Sequence, residues 1–321
     1  MVESVTIVNK ESGEQIEIGT GANYVLDSVD WDSPSVTMQS YRTPFQIGKT
    51  LSGVVVGTRK PTITGYIIAD VTKINSLGMT WEEYNKRQKQ DIEQKKKELN
   101  KLISVYQDVT IKAGEYNLDA RPTGFVKYST DSKENNEILC LFSIEFECFN
   151  PMFYKQSKTI VLATTESKFT FPMVLTSDTK DEYAVFGEIA KRQSMIAEND
   201  GDVDVGCTIV ITAKGGEVKN PKVYNVTTGE FLEIDGTKIN DGESFVITTE
   251  VGEENVIYRY KSSSDGSIKE LTRISFLKTG SEFFKIRRGS AYYGYSVNSE
   301  YANNVDMSLT YTERYANIEE M

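Results

Sequence analysis

From residue 159 to residue 311 the chain is a series of short apolar and mixed runs broken by turn dipeptides, and that pattern leaves few folds open. Candidate strands fall at residues 159–163, 168–174, 183–189, 207–213, 222–226, 231–234, 244–249, 254–260, 268–274, 282–286, 291–297 and 305–311. Asp200-Gly201, Gly215-Gly216, Thr228-Gly229, Asp235-Gly236, Asp241-Gly242 and Asp265-Gly266 separate them. Runs of this length between Gly-containing turns predict a β-sandwich or jelly roll.

The first half uses the same pattern around residues 41–70, YRTPFQIGKT LSGVVVGTRK PTITGYIIAD. Two β-branched runs, Val54-Val55-Val56 and residues 62–69, are separated by Gly57 and Pro61, a strand–turn–strand signal. Arg42, Lys49, Arg59 and Lys60 lie at the ends of these runs, so the segment reads as a rigid β platform presenting basic residues. Further strands are expected at 4–9, 15–18, 23–26, 35–39, 109–111, 116–118, 125–128 and 138–149. In the last of these, Ile138, Cys140, Phe142, Ile144, Phe146 and Cys148 share parity and face one side. Asn150-Pro151 closes that strand, which places a boundary near residues 152–157 and two domains at 1–155 and 156–321.

One helix interrupts the strands, expected over residues 80–106. Thr80 and Glu83 form a T-x-x-E capping box, and Trp81 opens the helix. Trp81, Tyr84, Ile92, Leu99, Leu102, Ile103 and Tyr106 make a thin apolar stripe. Gln88 and Lys95 interrupt its heptad, so the N-terminal part is expected to be solvated and the end to pack. A partner-facing or coiled-coil helix stays open.

What the chain lacks restricts its chemistry. It has 321 residues and no histidine, which removes Ser-His-Asp and Cys-His catalysis and His-ligated zinc. Three cysteines do not make a disulfide framework; Cys140 and Cys148 read as reduced core residues. A net charge of -11 argues against nucleic-acid binding through a basic surface. No apolar run approaches the ~20 residues that span a bilayer. MVESVTIVNK has no secretory signal, so synthesis in a cytoplasm is expected. Gly48-Lys49-Thr50 resembles the end of a P-loop, but Thr43 stands where that motif needs glycine. Asp200, Asp202 and Asp204 have calcium-loop spacing, yet Val205 and Ile211 occupy the positions an EF-hand gives to Gly and Glu. Glu145 and Glu147 are paired on the outer face of a strand and read as surface. Tyr292, Tyr293 and Tyr295, with Phe283 and Phe284, form an aromatic cluster that either packs or stacks on a sugar or partner. No cofactor, metal or catalytic residue is expected.

Taken in order, GTGANYVLDSVDW, YRTPFQIGKT, the Arg59 and ITGYIIA strand, the helix and CFNPMF resemble the distal tail proteins of long-tailed bacteriophages. GDVDVGCTIVITA, VKNPKVYNVTTGEF, GESFVITT and GSEFFKIRRG extend the likeness into the second half. The resemblance implies a mainly β fold: an N-terminal β-sandwich with one helix, and a galectin-like C-terminal sandwich facing outward. It implies a structural protein of the virion tail tip, or baseplate, without catalytic residues. Its hexameric ring would join the tail tube protein to the hub, to a tail-associated lysin and to a receptor-binding protein. Tyr41, Arg42, Phe45 and Gln46, a polar-aromatic loop between strands, are then the candidate subunit contact, with Arg59 beside them. The rival reading is an adhesin that binds cell-wall carbohydrate through Tyr292, Tyr293 and Tyr295. A third, a hydrolase using Glu145, is not expected.

Overall fold

The computed structural model describes residues 3–70, 79–167, 187–191, 194–262, 266–298, 301 and 304–318. The strand expected at 168–174 and the first part of the one at 183–189 lie outside them, as does Asp265. The described chain is mainly β and divides into two compact units: residues 1–155 with 315–321, and residues 156–314. Residues 315–318 therefore group with the first unit.

The first unit contains β1 (Ser4–Asn9), β2 (Gln15–Gly19), β3 (Tyr24–Asp30), β4 (Val36–Tyr41), β5 (Thr50–Val56), β6 (Thr62–Ile68), α1 (Trp81–Leu102), β7 (Val109–Ala113), β8 (Tyr116–Pro122), β9 (Lys127–Tyr128), β10 (Leu139–Glu147) and β11 (Phe153–Tyr154). Ten strands form one sheet in the order β25-β11-β8-β7-β1-β2-β3-β6-β10-β9, where β25 is Arg314–Tyr315. A β8–β10 pairing, Phe146 opposite Pro122, closes the stretch from β8 to β10 into a barrel of seven strands. Closure removes the exposed edges that the strands of an open sheet would leave. Cys140, Phe142, Ile144, Phe146 and Cys148 are buried, as their shared parity predicts, whereas Ile138 at the strand's entry is exposed. All three cysteines are free and buried. Burial pushes the Cys148 thiol up to about 12, so it stays protonated. Gly65 on β6 is required: a Cβ there would meet Val25 O at 2.6 Å and the Phe142 ring at 2.9 Å.

Helix α1 begins at the expected capping box. The Glu83 N–H donates to Thr80 Oγ1, and the Glu83 carboxylate accepts from the Thr80 N–H. It ends at Leu102, four residues early, and Tyr106 is exposed rather than packed. The buried residues are Gln88, Ile92, Lys95, Leu99 and Leu102, so the two polar residues that seemed to break the heptad lie on its seam. Lys95 is tolerated because its ammonium donates to Ile68 O at 2.7 Å and pairs with Asp91 at 2.9 Å. Thr80→Ala should cost about 1 kcal/mol of helix stability, read as faster amide exchange confined to the first turn of α1.

The second unit contains β12 (Lys158–Ser167), β13 (Gly187–Lys191), β14 (Ser194–Asn199), β15 (Cys207–Ala213), β16 (Val218–Lys219), β17 (Lys222–Asn225), β18 (Phe231–Glu233), β19 (Lys238–Ile239), β20 (Ser244–Thr248), β21 (Asn255–Lys261), β22 (Ile268–Thr272), β23 (Gly289–Ser296) and β24 (Val305–Tyr311). A seven-stranded sheet runs β13-β12-β24-β15-β20-β21-β22, and a four-stranded one runs β14-β23-β17-β18. β15 and β24 alternate strictly between buried and half-buried residues. Their inward residues join Ala197, Val223, Leu232 and Tyr293 of the smaller sheet in one buried cluster. The strand expected at 282–286 is irregular: Phe284 and Ile286 are buried, but only an Ile286–Val205 bridge pairs there.

Candidate interaction site

β4 and β5 form a sheet of their own, paired antiparallel and with no third strand among the described residues. The register places Val36 opposite Val56 and Met38 opposite Val54, so these four share one face. Thr37, Gln39, Gly53 and Val55 occupy the other. The hairpin is amphipathic, yet neither face is covered: every β4 residue is exposed, and Met38 is 69% exposed. A two-stranded hairpin gains little from its own pairing in water, and monomers rarely display contiguous apolar surface of this kind.

The turn is built to hold its tip outward. The Gln46 side chain accepts from Thr43 N–H at 3.1 Å and donates to Thr50 Oγ1 at 2.7 Å, and Arg42 Nε donates to Gln46 O at 3.0 Å. Between them Phe45 takes φ 66°, the left-handed region that costs a non-glycine residue of order 1 kcal/mol. Phe45 and Ile47 are fully exposed. Residues 33–69 contain no Asp or Glu, although the whole chain has 47. With Arg42, Lys49, Arg59 and Lys60 this segment carries +4, which leaves -15 on the rest of a chain of net charge -11.

Tyr41, Arg42, Phe45 and Gln46 thus all belong to this hairpin and its turn. Arg59 lies outside the hairpin, after β5. It is 1% exposed, and its guanidinium donates to four main-chain carbonyls: Pro151 at 2.8 Å, Trp31 at 3.3 Å, Asp32 at 3.2 Å and Ala316 at 2.5 Å. It also lies 4.5 Å over the Phe153 ring. Burial lowers its pKa from the ordinary arginine value, opposed by nearby Cys148 and Asp32. A side chain so enclosed is an internal tie between these main-chain segments.

The tyrosine cluster divides by parity. Tyr292 is outward, 49% exposed and opposite Ile196. Tyr293 is fully buried, stacked on Phe284 at 5.5 Å, and its hydroxyl donates to Lys285 O at 3.2 Å. Desolvation raises its phenol pKa well above the ordinary value. Tyr293 therefore offers no face to a sugar, and Tyr295, half-buried, packs against the same core. The carboxylates are likewise accounted for: Glu145 pairs with Lys127, and Glu147 accepts from Thr58 Oγ1 at 3.0 Å. Asp204 accepts from Arg288 N–H, and among the described residues no group of three acidic or cysteine side chains is placed to share an ion. Exposure on both hairpin faces escapes the sequence, because alternation reports parity but not whether anything covers either side.

No protein-family model and no curated protein matches this sequence. The fold is matched by the crystal structure of the Dit protein (gp 19.1) of phage SPP1, described as a paradigm of the hub adsorption apparatus in phages infecting Gram-positive hosts. The TM-score is 0.59 at 12% identity, over 97% of this chain and 98% of that one. A chain of the phage P2 baseplate in its activated conformation with calcium matches at a TM-score of 0.44 and 10% identity, over 99% of this chain and 100% of that one.

Proposed function

We propose that this chain, which has the fold of the SPP1 Dit protein, is a structural protein of a phage tail tip, a distal tail or baseplate hub component. The observation that carries the reading is the β4–β5 hairpin: apolar, basic, preorganised at its turn and uncovered on both faces. Its occupant is a second copy of the chain. The acid-free hairpin complements the -15 carried elsewhere, and copies arranged head to tail close into a ring. Six copies per ring, joining the tail tube to the hub, a tail-associated lysin and receptor-binding components, is the arrangement the family resemblance suggests. In this reading residues 1–155 are the ring-forming domain. The second unit is a galectin-like sandwich without catalytic residues, and the protein resides in the virion.

Magnitudes favour closure over pairing. Covering the exposed parts of Val36, Met38, Tyr41, Leu51 and Val54–Val56, about half of each, together with the fully exposed Phe45 and Ile47, would yield on the order of 10 kcal/mol. Association costs about 4–15 kcal/mol, so one contact is marginal, whereas a ring gives each copy two contacts and an effective concentration for the last. The test is light scattering on the purified chain, with negative-stain images of the same fraction. A mass near six times 36.1 kDa with a central channel is expected. A monomer that stays monomeric with purified tail tube protein would refute the ring.

A further inference from the structure

The hairpin leaves the first unit through a narrow root. Gly57 N–H donates to Ser35 O at 2.7 Å, and a Cβ on Gly57 would lie 2.5 Å from Ser35 Oγ. Just below this pair, the two stalks are joined by the side chains of Arg59 and Asp32. Arg59 follows β5 and donates to the carbonyls of Trp31 and Asp32, which precede β4. Asp32, at φ 52°, also accepts from the Lys60 N–H through its carboxylate at 3.1 Å. The same guanidinium reaches Pro151 O and, through its remaining amino group, Ala316 O. Ala316 lies in the returning C-terminal segment, 257 residues away in sequence.

That segment is seated by its own contacts. β25 pairs beside β11 at the edge of the ten-stranded sheet. The Tyr315 ring meets Tyr116 edge-on at 5.5 Å, and the Lys155 ammonium lies within 5.1 Å of both ring centroids. Ile318 packs against the buried cluster of the first unit. A buried guanidinium keeps its orientation only while each N–H finds an acceptor. The carbonyl of Ala316 therefore helps to aim a side chain that holds both ends of the hairpin.

We propose that Arg59 and the returning residues 315–318 form a clamp on the root of the β4–β5 hairpin, so that this distant segment governs how the assembly hairpin is presented. Arg59 is a positioning residue here, and a segment 257 positions away in sequence completes the surface used for assembly. The inference rests on the hairpin being the subunit contact, and its test separates the two. Amide exchange is measured on the intact chain, on full-length Arg59→Met and on a chain ending at Arg314, with light-scattering mass on each. In both variants exchange at residues 31–36 and 56–60 should accelerate at least about tenfold. Peptides from β10 in the same unit and from β20–β21 in the second should stay unchanged, and ring mass should fall to that of the monomer. Unchanged exchange at the root in either variant would overturn the clamp, as would equal acceleration across β10, which would mean general opening of the unit. Faster root exchange in a protein that never assembles, even intact, would leave the clamp standing and remove the ring.

Discussion

Met38→Asp combined with Val54→Asp is expected to abolish assembly and leave the fold intact. The two residues sit opposite each other on the apolar face of the hairpin, both more than half exposed. In the free chain the carboxylates are solvated, so the cost to folding should stay within about 0.5 kcal/mol. In a contact they would be buried with no partner, a penalty of several kcal/mol per ion. They would also put negative charge into a segment that has no acid of its own, lowering its +4 to +2. Against a contact already close to the cost of association, that penalty is decisive. Light scattering on the double variant should give the monomer mass at every concentration where the parent gives the ring, with an unchanged melting temperature. A ring of parental stability would show that this face lies outside the contact.

Tyr293→Ala is expected to destabilise the second unit by about 3–5 kcal/mol, as large-to-small changes of buried aromatics do. The ring is completely enclosed and stacked on Phe284. Its hydroxyl both donates to Lys285 O and lies 3.4 Å from the buried Asn225 amide, so truncation also strands polar groups. Tyr293→Phe should cost about 1 kcal/mol, and Tyr292→Ala, at the outward neighbour, close to nothing. Denaturant melts of the three variants check the order. Equal, small effects at both positions would place Tyr293 on the surface and return it to the set of stacking candidates for carbohydrate.

The hairpin and the Tyr292–Tyr293 pair differ in how far their sequence reveals them. The hairpin strands were expected at 35–39 and around 54–56, and they occur at Val36–Tyr41 and Thr50–Val56, because β-branched runs and glycine turns act locally. Alternation likewise separates Tyr292 from Tyr293. Which of them faces inward depends on β14 and β17 pairing on either side of β23, contacts that join residues about 70 to 100 positions apart. Gln88 and Lys95 lie on the helical seam by simple periodicity. Their polarity argued against burial until Ile68 and Asp91 supplied Lys95 with partners.

The sequence by itself determined the strand-rich character, the capped helix, the reduced core cysteines and the unusual charge of residues 33–69. All of these depend on neighbours within a few positions, or on counting. Only the tertiary structure decided that β8 and β10 close a barrel, that the hairpin stands uncovered, and that Arg59 is enclosed. It alone brought the carbonyls of residues 31, 32, 151 and 316 to one guanidinium. Carbonyl acceptors are identical at every residue, so nothing in the side chains at those positions announces the bond. It exists because the fold brings residues 315–318 back to the unit that holds Arg59.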